Sequence, residues 1–338
     1  MTLRPRVAVI GAGAWGLNHV RVVASEPRCE LAAIIDPDRA ACERARLLAP
    51  AAAVMRDPDQ VLADPAIGVI VIATPAPTHA SIACSAIAAD KHVLIEKPLA
   101  LSVRDARQIA AAAARSPRVV MVGHLMVYHP AVARLRELLG SGALGRLHYV
   151  HATRANLGRI RQDENALWSF GPHELSMLDH LLDRTPVSVT ARGQCVLQPG
   201  IEDVVFLTLR YAGGEMAHLH LSWLHPRKER RLTLVCSQKM VEFDDVAPEK
   251  LRIYDKGYDR PPQFTQFAEY LTLRDGDIHI PQLSMEEPLR LQLRHLLECV
   301  ATGEPPKTDV RSALRIVETL EAAQRSLDSD GAPVNLGT

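Results

Sequence analysis

Along the first third of the chain, short apolar runs rich in β-branched residues alternate with segments of helical spacing. The run RVAVI (residues 6–10) stops at a glycine, as a strand buried on both faces does. LNHVRVVASE then has helical spacing and ends before Pro27. Residues 30–35 form the next strand and close on Asp36. GVIVIATP (68–75), HVLIE (92–96) and RVVMVG (118–123) read as later strands, with helices such as PTHASIACSAIAAD between them. Repeated strand and helix units of this length predict a Rossmann-like, doubly wound parallel sheet of the α/β class, with ligands at the strand C-termini.

Beyond a helix in HPAVARLRELLGSGALG (129–145), the pattern changes to period two. RLHYVHATRAN, PVSVTARGQCVL, EDVVFLTLRYAGGEMAHLHLSWL, RRLTLVCSQKMVEFDD and KLRIYDKG alternate without intervening helices, and hairpin turns fit residues 212–214 and 237–239. This predicts an α+β domain on a large, mostly antiparallel sheet with one face against helices and one open. ENALWSFGPHELSMLDHLLD supplies a helix from Pro172 onward, its apolar face made by Leu175, Met177, Leu178, Leu181 and Leu182. Two amphipathic helices joined by residues 303–309 close the chain. The expected domains are 1–125 and 126–338.

A length of 338 residues suits two cores better than one. Lysine plus arginine equals aspartate plus glutamate at 39 each, so no net field gathers nucleic acid or an anionic membrane. No run of ~18 apolar residues is present, and MTLRPRVAVIGAG lacks a signal-cleavage region, so a cytoplasmic protein is expected. The six cysteines are scattered, without a CxxC pair, as reduced thiols would be. His218 and His220 share a strand face with His225 close behind, but two imidazoles at strand spacing do not make a zinc site, and no metal is assigned. PRKERR (226–231) reads as a solvated turn.

Candidate chemistry begins at Gly11, Gly13 and Gly16 of GAGAWG, between a predicted strand and helix. In a dinucleotide-binding unit such glycines permit a tight turn, close approach to the pyrophosphate, and packing of helix on strand. The helix N-terminus faces the phosphates, and Asp36 stands where an acidic residue takes hydrogen bonds from the adenosine ribose. A 2′-phosphate beside Asp36 would meet a like charge, which selects NAD over NADP despite nearby Arg39. Thr74-Pro75 and Lys97-Pro98 sit at strand ends that line the cofactor cleft. Lys97 is either chemical or an ordinary surface lysine; pattern leaves both open. His173, at the expected helix start, is either a cap or a base kept neutral by the helix dipole.

With GAGAWG, Asp36, ATPAPTH (73–79) and EKP (96–98) on one frame, the sequence resembles the Gfo/Idh/MocA oxidoreductases over essentially its whole length. The resemblance implies NAD held by Gly11, Gly13, Ala14, Trp15, Gly16, Asp36, Thr74, Pro75, His79, Glu96 and Lys97. It implies that Lys97, commonly before a cis proline, hydrogen-bonds the reacting hydroxyl, and that His173 is the general base. Polyol dehydrogenases of the family often carry aspartate four residues before that histidine, where this chain has Ser169. That departure points toward enzymes acting on nucleotide sugars in surface-polysaccharide synthesis, at C3 of a UDP-N-acetylglucosaminuronate-like substrate. Tyr128, Arg154, Asn156, Arg161, Trp168 and His173 are the expected substrate contacts, with Arg159 and Asn165 beside them; the arginines suit an anion and Trp168 a sugar ring. Alternatives are a free inositol or hexose dehydrogenase, a keto-sugar reductase, an NAD-dependent glycosidase, and a non-catalytic NAD-binding regulator. A homodimer or homotetramer through the open face of the second sheet is also implied.

Overall fold

The structure, a computed structural model, describes residues 4–158, 160–259 and 272–337. Arg159 lies outside the described residues. Contacts divide the chain into two compact units, Met1–Tyr128 with Glu286–Glu318, and His129–Met285 with Thr319–Thr338. A single cut near residue 125 does not describe this. The chain returns to its first unit because the apolar stripe Leu289, Leu293, Leu296 and Leu297 completes the core that contains Val7, Val9, Val20 and Val23.

The first unit runs β1 (Arg6–Ile10), α1 (Gly16–Ser25), β2 (Glu30–Ile35), α2 (Arg39–Leu48), β3 (Ala53–Met55), α3 (Asp59–Ala63), β4 (Val69–Ile72), α4 (His79–Ala88), β5 (His92–Glu96), α5 (Val103–Ala114) and β6 (Val120–Gly123). Its six-stranded sheet has the order β3-β2-β1-β4-β5-β6, every pairing parallel. Val7, Val9, Ile70, Ile72 and Ile95 have no exposed surface, as expected of strands covered on both faces. Strand order reverses between β1 and β4, and the crevice outside that switch point is where such sheets bind ligands.

The second unit runs α6 (Pro130–Gly140), β7 (Leu147–Leu157), α7 (Ala166–Leu182), β8 (Ser188–Gln194), β9 (Val204–Arg210), β10 (Met216–Ser222), β11 (Leu224–Cys236), β12 (Met240–Asp244), β13 (Leu251–Asp259) and β14 (Thr272–His279). In chain order α8 (Pro288–Thr302) and the first part of α9 (Val310–Asp328) belong to the first unit, and the rest of α9 with β15 (Val334–Asn335) to the second. The nine-stranded sheet has the order β14-β13-β12-β11-β7-β10-β9-β8-β15 and is antiparallel except where β10 runs parallel to β7. Alternation sends Val150, Ala152, Leu207, Leu219, Leu221 and Leu234 into the core, and α7 packs over β7, β9 and β10. On the other face His218 stacks near His151 and Phe206, and His220 stacks on Phe206 at 4.7 Å.

Two sequence expectations change here. PRKERR is not a turn: it lies inside β11, with Glu229, Arg230 and Arg231 opposite Ala155, Arg154 and Thr153. Ion pairs from Arg230 to Asp245 (3.4 Å) and from Arg231 to Glu242 (3.6 Å) and Asp244 (3.7 Å) compensate the charge that suggested solvent. Helix α7 begins six residues before Pro172, because Asn165 caps it by accepting the Trp168 N–H at 3.1 Å. His173 is therefore the eighth helical residue, and the dipole argument for it falls, since that effect fades within the first turn.

Candidate active site

The glycine loop is shaped by its own backbone. Gly11 has φ +98°, and a Cβ there would stand 2.5 Å from the Ala73 carbonyl oxygen. A Cβ on Gly16 would run into the Gly11 carbonyl, so both positions require glycine for packing within the unit. Gly13 differs: nothing lies within 4 Å of the Cβ it lacks, and Gly13, Ala14 and Trp15 are exposed. The space is on the ligand side. Asp36, at the end of β2, accepts the Ala12 N–H at 2.7 Å through one oxygen and the Asp38 N–H at 2.8 Å through the other. Two backbone donors fix the carboxylate beside the loop with lone pairs left over for hydroxyl donors. Room at Gly13 and an oriented anion at β2 fit a dinucleotide with an unphosphorylated adenosine ribose.

On the far side of the switch point, two loops are tied together. Buried His79 sets Nδ1 2.9 Å from the Pro98 carbonyl oxygen and Nε2 3.0 Å from that of Thr74. Burial holds its pKa below the ordinary value, although the carbonyls pull the other way. Thr74 and Thr78 share a 2.7 Å hydroxyl hydrogen bond where Pro75 leads into α4. The Lys97-Pro98 peptide is cis. Glu96, 7% exposed, places one oxygen 2.7 Å from His19 Nε2, while the other accepts the Lys97 N–H at 3.1 Å. Burial alone would raise the Glu96 pKa; the hydrogen bond and charge of His19, with Trp15 and Lys97, outweigh it and hold the carboxyl below its usual range. The polar atoms of His79 and Glu96, expected at the cofactor, are committed to the protein around Lys97.

Sequence pattern missed two histidines in this region. His19 lies one turn after Gly16 and is 3% exposed; its only signal was the helical spacing that buries it. His124 follows β6, is buried, and among the described residues neither ring nitrogen has a hydrogen-bond partner. Burial, opposed by Glu96 and assisted by Lys97, drives its pKa down to about 4. Tyr128, expected at the substrate, points its hydroxyl into the first unit's core, 3.1 Å from Thr308 Oγ1, and burial pushes the phenol pKa up.

In the second unit, His173 is half-buried on α7, next to fully buried Glu174. Glu174 accepts a hydrogen bond from Arg154 Nε of β7, so the guanidinium expected to meet an anion is already paired. Asn165 is likewise spent, its amide reaching Glu202 at 2.6 Å and Gln324 at 2.9 Å. Arg161 is exposed and pairs with Glu164 at 2.9 Å. Asn156 and Trp168 are half-buried, and Ser169 is buried.

A family model described as "Oxidoreductase family, NAD-binding Rossmann fold" matches residues 5–124, and the GFO/IDH/MocA C-terminal domain matches residues 132–242. The inositol 2-dehydrogenase 2 of Paenarthrobacter aurescens is 30% identical over 64% of this chain and 68% of its own length. The chain spans just under two thirds, 66%, of the inositol 2-dehydrogenases of Saccharopolyspora erythraea and Acidothermus cellulolyticus. Among solved structures, GenD2 from gentamicin A biosynthesis, in complex with NAD, superposes with TM-score 0.83 at 28% identity, over 100% of this chain and 98% of that one. The UDP-N-acetylglucosamine 3-dehydrogenase GnnA of Acidithiobacillus ferrooxidans, at 23% identity, shares the fold with TM-score 0.81 over 97% of this chain and 99% of its own. By its two domains and its EKP strand end, this chain belongs to the Gfo/Idh/MocA family of oxidoreductases.

Proposed function

We propose that the protein is an NAD-dependent dehydrogenase that oxidises a secondary hydroxyl of a cyclic polyol or sugar. The observation that carries this is Lys97, at the C-terminal end of β5 in the parallel sheet, directly after a buried carboxylate held below the usual carboxylate range. Bound NAD would accept the carbinol hydrogen as hydride. Lys97 hydrogen-bonds the carbinol oxygen and stabilises developing alkoxide charge. His173 takes the hydroxyl proton, and Glu174 with Arg154 sets the rotation of α7 that presents it.

For the substrate, the geometry supports an uncharged ring ahead of a nucleotide sugar. The anionic reading leaned on Arg154, Arg159, Arg161, Asn156 and Asn165; of these Arg154, Arg161 and Asn165 engage Glu174, Glu164, and Glu202 with Gln324, Asn156 is half-buried, and Arg159 lies outside the described residues. Relatives named inositol 2-dehydrogenases favour the same choice. Ser169, in place of the aspartate frequent in polyol enzymes, favours the second reading, a UDP-sugar oxidised at C3. A panel of inositols, free hexoses and UDP-sugars with NAD, read by reduced-nicotinamide absorbance, separates them. Turnover of an inositol or hexose is expected; turnover confined to UDP-sugars would transfer the assignment, and silence across the panel would remove it.

A further inference from the structure

The hydrogen bonds around Glu96 join two parts of the first unit that sequence keeps far apart. His19 belongs to α1, the helix that the glycine loop opens, and its Nε2 stands 2.7 Å from Glu96 Oε1. The other Glu96 oxygen accepts the backbone N–H of Lys97 at 3.1 Å. His19 is 3% exposed and Glu96 7%, so water competes for neither bond. The fit is close from the other side as well: Gly123 of β6 faces the carboxylate, and a Cβ there would lie 2.8 Å from Oε1. His19 and the Lys97 amide donate to this carboxylate, and a side-chain hydrogen bond from Trp15 joins them.

We propose that His19 is a positioning residue for Lys97, acting through the buried Glu96 carboxylate, so that the cofactor-loop helix and the lysine that meets the carbinol are held as one piece. This rests on the role given to Lys97 above. The buried anion also sets the lysine's charge, because a carboxylate next to an ammonium favours its protonated form. Charged or titratable groups that feel Glu96 are His19 from α1, His79 from α4, His124 after β6, and Lys97 itself. Of these, His19 sets its Nε2 2.7 Å from the carboxylate. Without that donor, burial weighs more heavily against the Trp15 and Lys97 contributions, and Glu96 takes up a proton more readily. The lysine then loses its neighbouring negative charge, and more of it is present as free amine.

The test reads Lys97 without needing a substrate. The rate of acetylation of Lys97 by acetic anhydride, followed by mass spectrometry across pH, measures its free-amine fraction in the whole protein. His19→Leu is expected to raise that rate near neutrality about tenfold, the equivalent of one pKa unit. His19→Gln, whose amide N–H can still donate to Glu96, is expected to stay within about twofold of wild type. Gly123→Ala, which presses on the carboxylate from β6, gives an independent perturbation if His19→Leu does not fold, and is expected to move the rate in the same direction. An unchanged rate in His19→Leu and Gly123→Ala, or a rate in His19→Gln as high as in His19→Leu, overturns the proposal. If the wild-type protein oxidises no sugar, the functional reading fails while this measurement still stands or falls by itself.

Discussion

Arg154 of β7 donates to Glu174 of α7, and with side chains 5% and 2% exposed the two form a buried ion pair beside His173. Breaking such a pair from one side strands a charge in the interior. Glu174→Gln is therefore expected to lower unfolding free energy by about 3–5 kcal/mol, while the double change Arg154→Met with Glu174→Leu recovers most of it. Urea unfolding of the three proteins checks this. A loss below 1 kcal/mol would mean that the pair does not hold α7 in place.

Gly13 and Gly16 should respond in opposite ways to a side chain. Gly13→Val projects into open space, so Tm is expected to move little while NAD affinity falls at least about tenfold. Gly16→Ala meets the Gly11 carbonyl and is expected to lower Tm as well as abolish binding. Thermal unfolding with and without NAD distinguishes the two.

Asp36 is expected to set the choice of dinucleotide. Replacing it by serine removes the charge that would face a 2′-phosphate and breaks the brace between Ala12 and Asp38. NAD binding should weaken, and the ratio of NADP to NAD affinity should rise about tenfold or more. Titration calorimetry with both dinucleotides gives that ratio directly.

His124 carries a pH dependence with a definite sign. Burial lowers its pKa from the ordinary 6.5 to about 4, so between those values the unfolded chain binds a proton that the folded protein refuses. The stability this group contributes is complete above about pH 6.5 and is lost as pH falls toward 4, by up to about 3 kcal/mol. In His124→Phe the acid limb of a stability-against-pH curve is expected to flatten over that window. Parallel curves for the two proteins would show that the imidazole titrates normally in the fold.

What could be read from the sequence divides along physical lines. The Rossmann unit was legible because Gly11 and Gly16 answer to backbone sterics and Asp36 to spacing, all of them local constraints. Helix α7 was misjudged because proline ordinarily opens a helix and disfavours helical geometry in the residue before it. Here the cap is Asn165, fixed by Glu202 and Gln324, partners 37 and 159 residues away that no local pattern reveals. The basic run in β11 was taken for a turn since its compensating acids, Glu242, Asp244 and Asp245, sit on and just beyond the next strand. For the site, Lys97 was visible through its motif. His79 entered through ATPAPTH, but as a cofactor residue and not as the tie between two loops; His19 and His124 were not visible, because imidazoles on apolar faces carry no signal beyond burial.

Lys97 and His173 as proton and charge handlers for one carbinol are the centre of the proposed chemistry. The most direct measurement is single-turnover reduction of saturating NAD by the substrate that the panel identifies, in wild type, Lys97→Ala and His173→Ala, with NAD affinity measured alongside. The expected result is a fall in the hydride-transfer rate of about 10²–10⁴ in each variant with NAD affinity within about threefold of wild type. Hydride transfer at the wild-type rate in either variant would contradict the assignment.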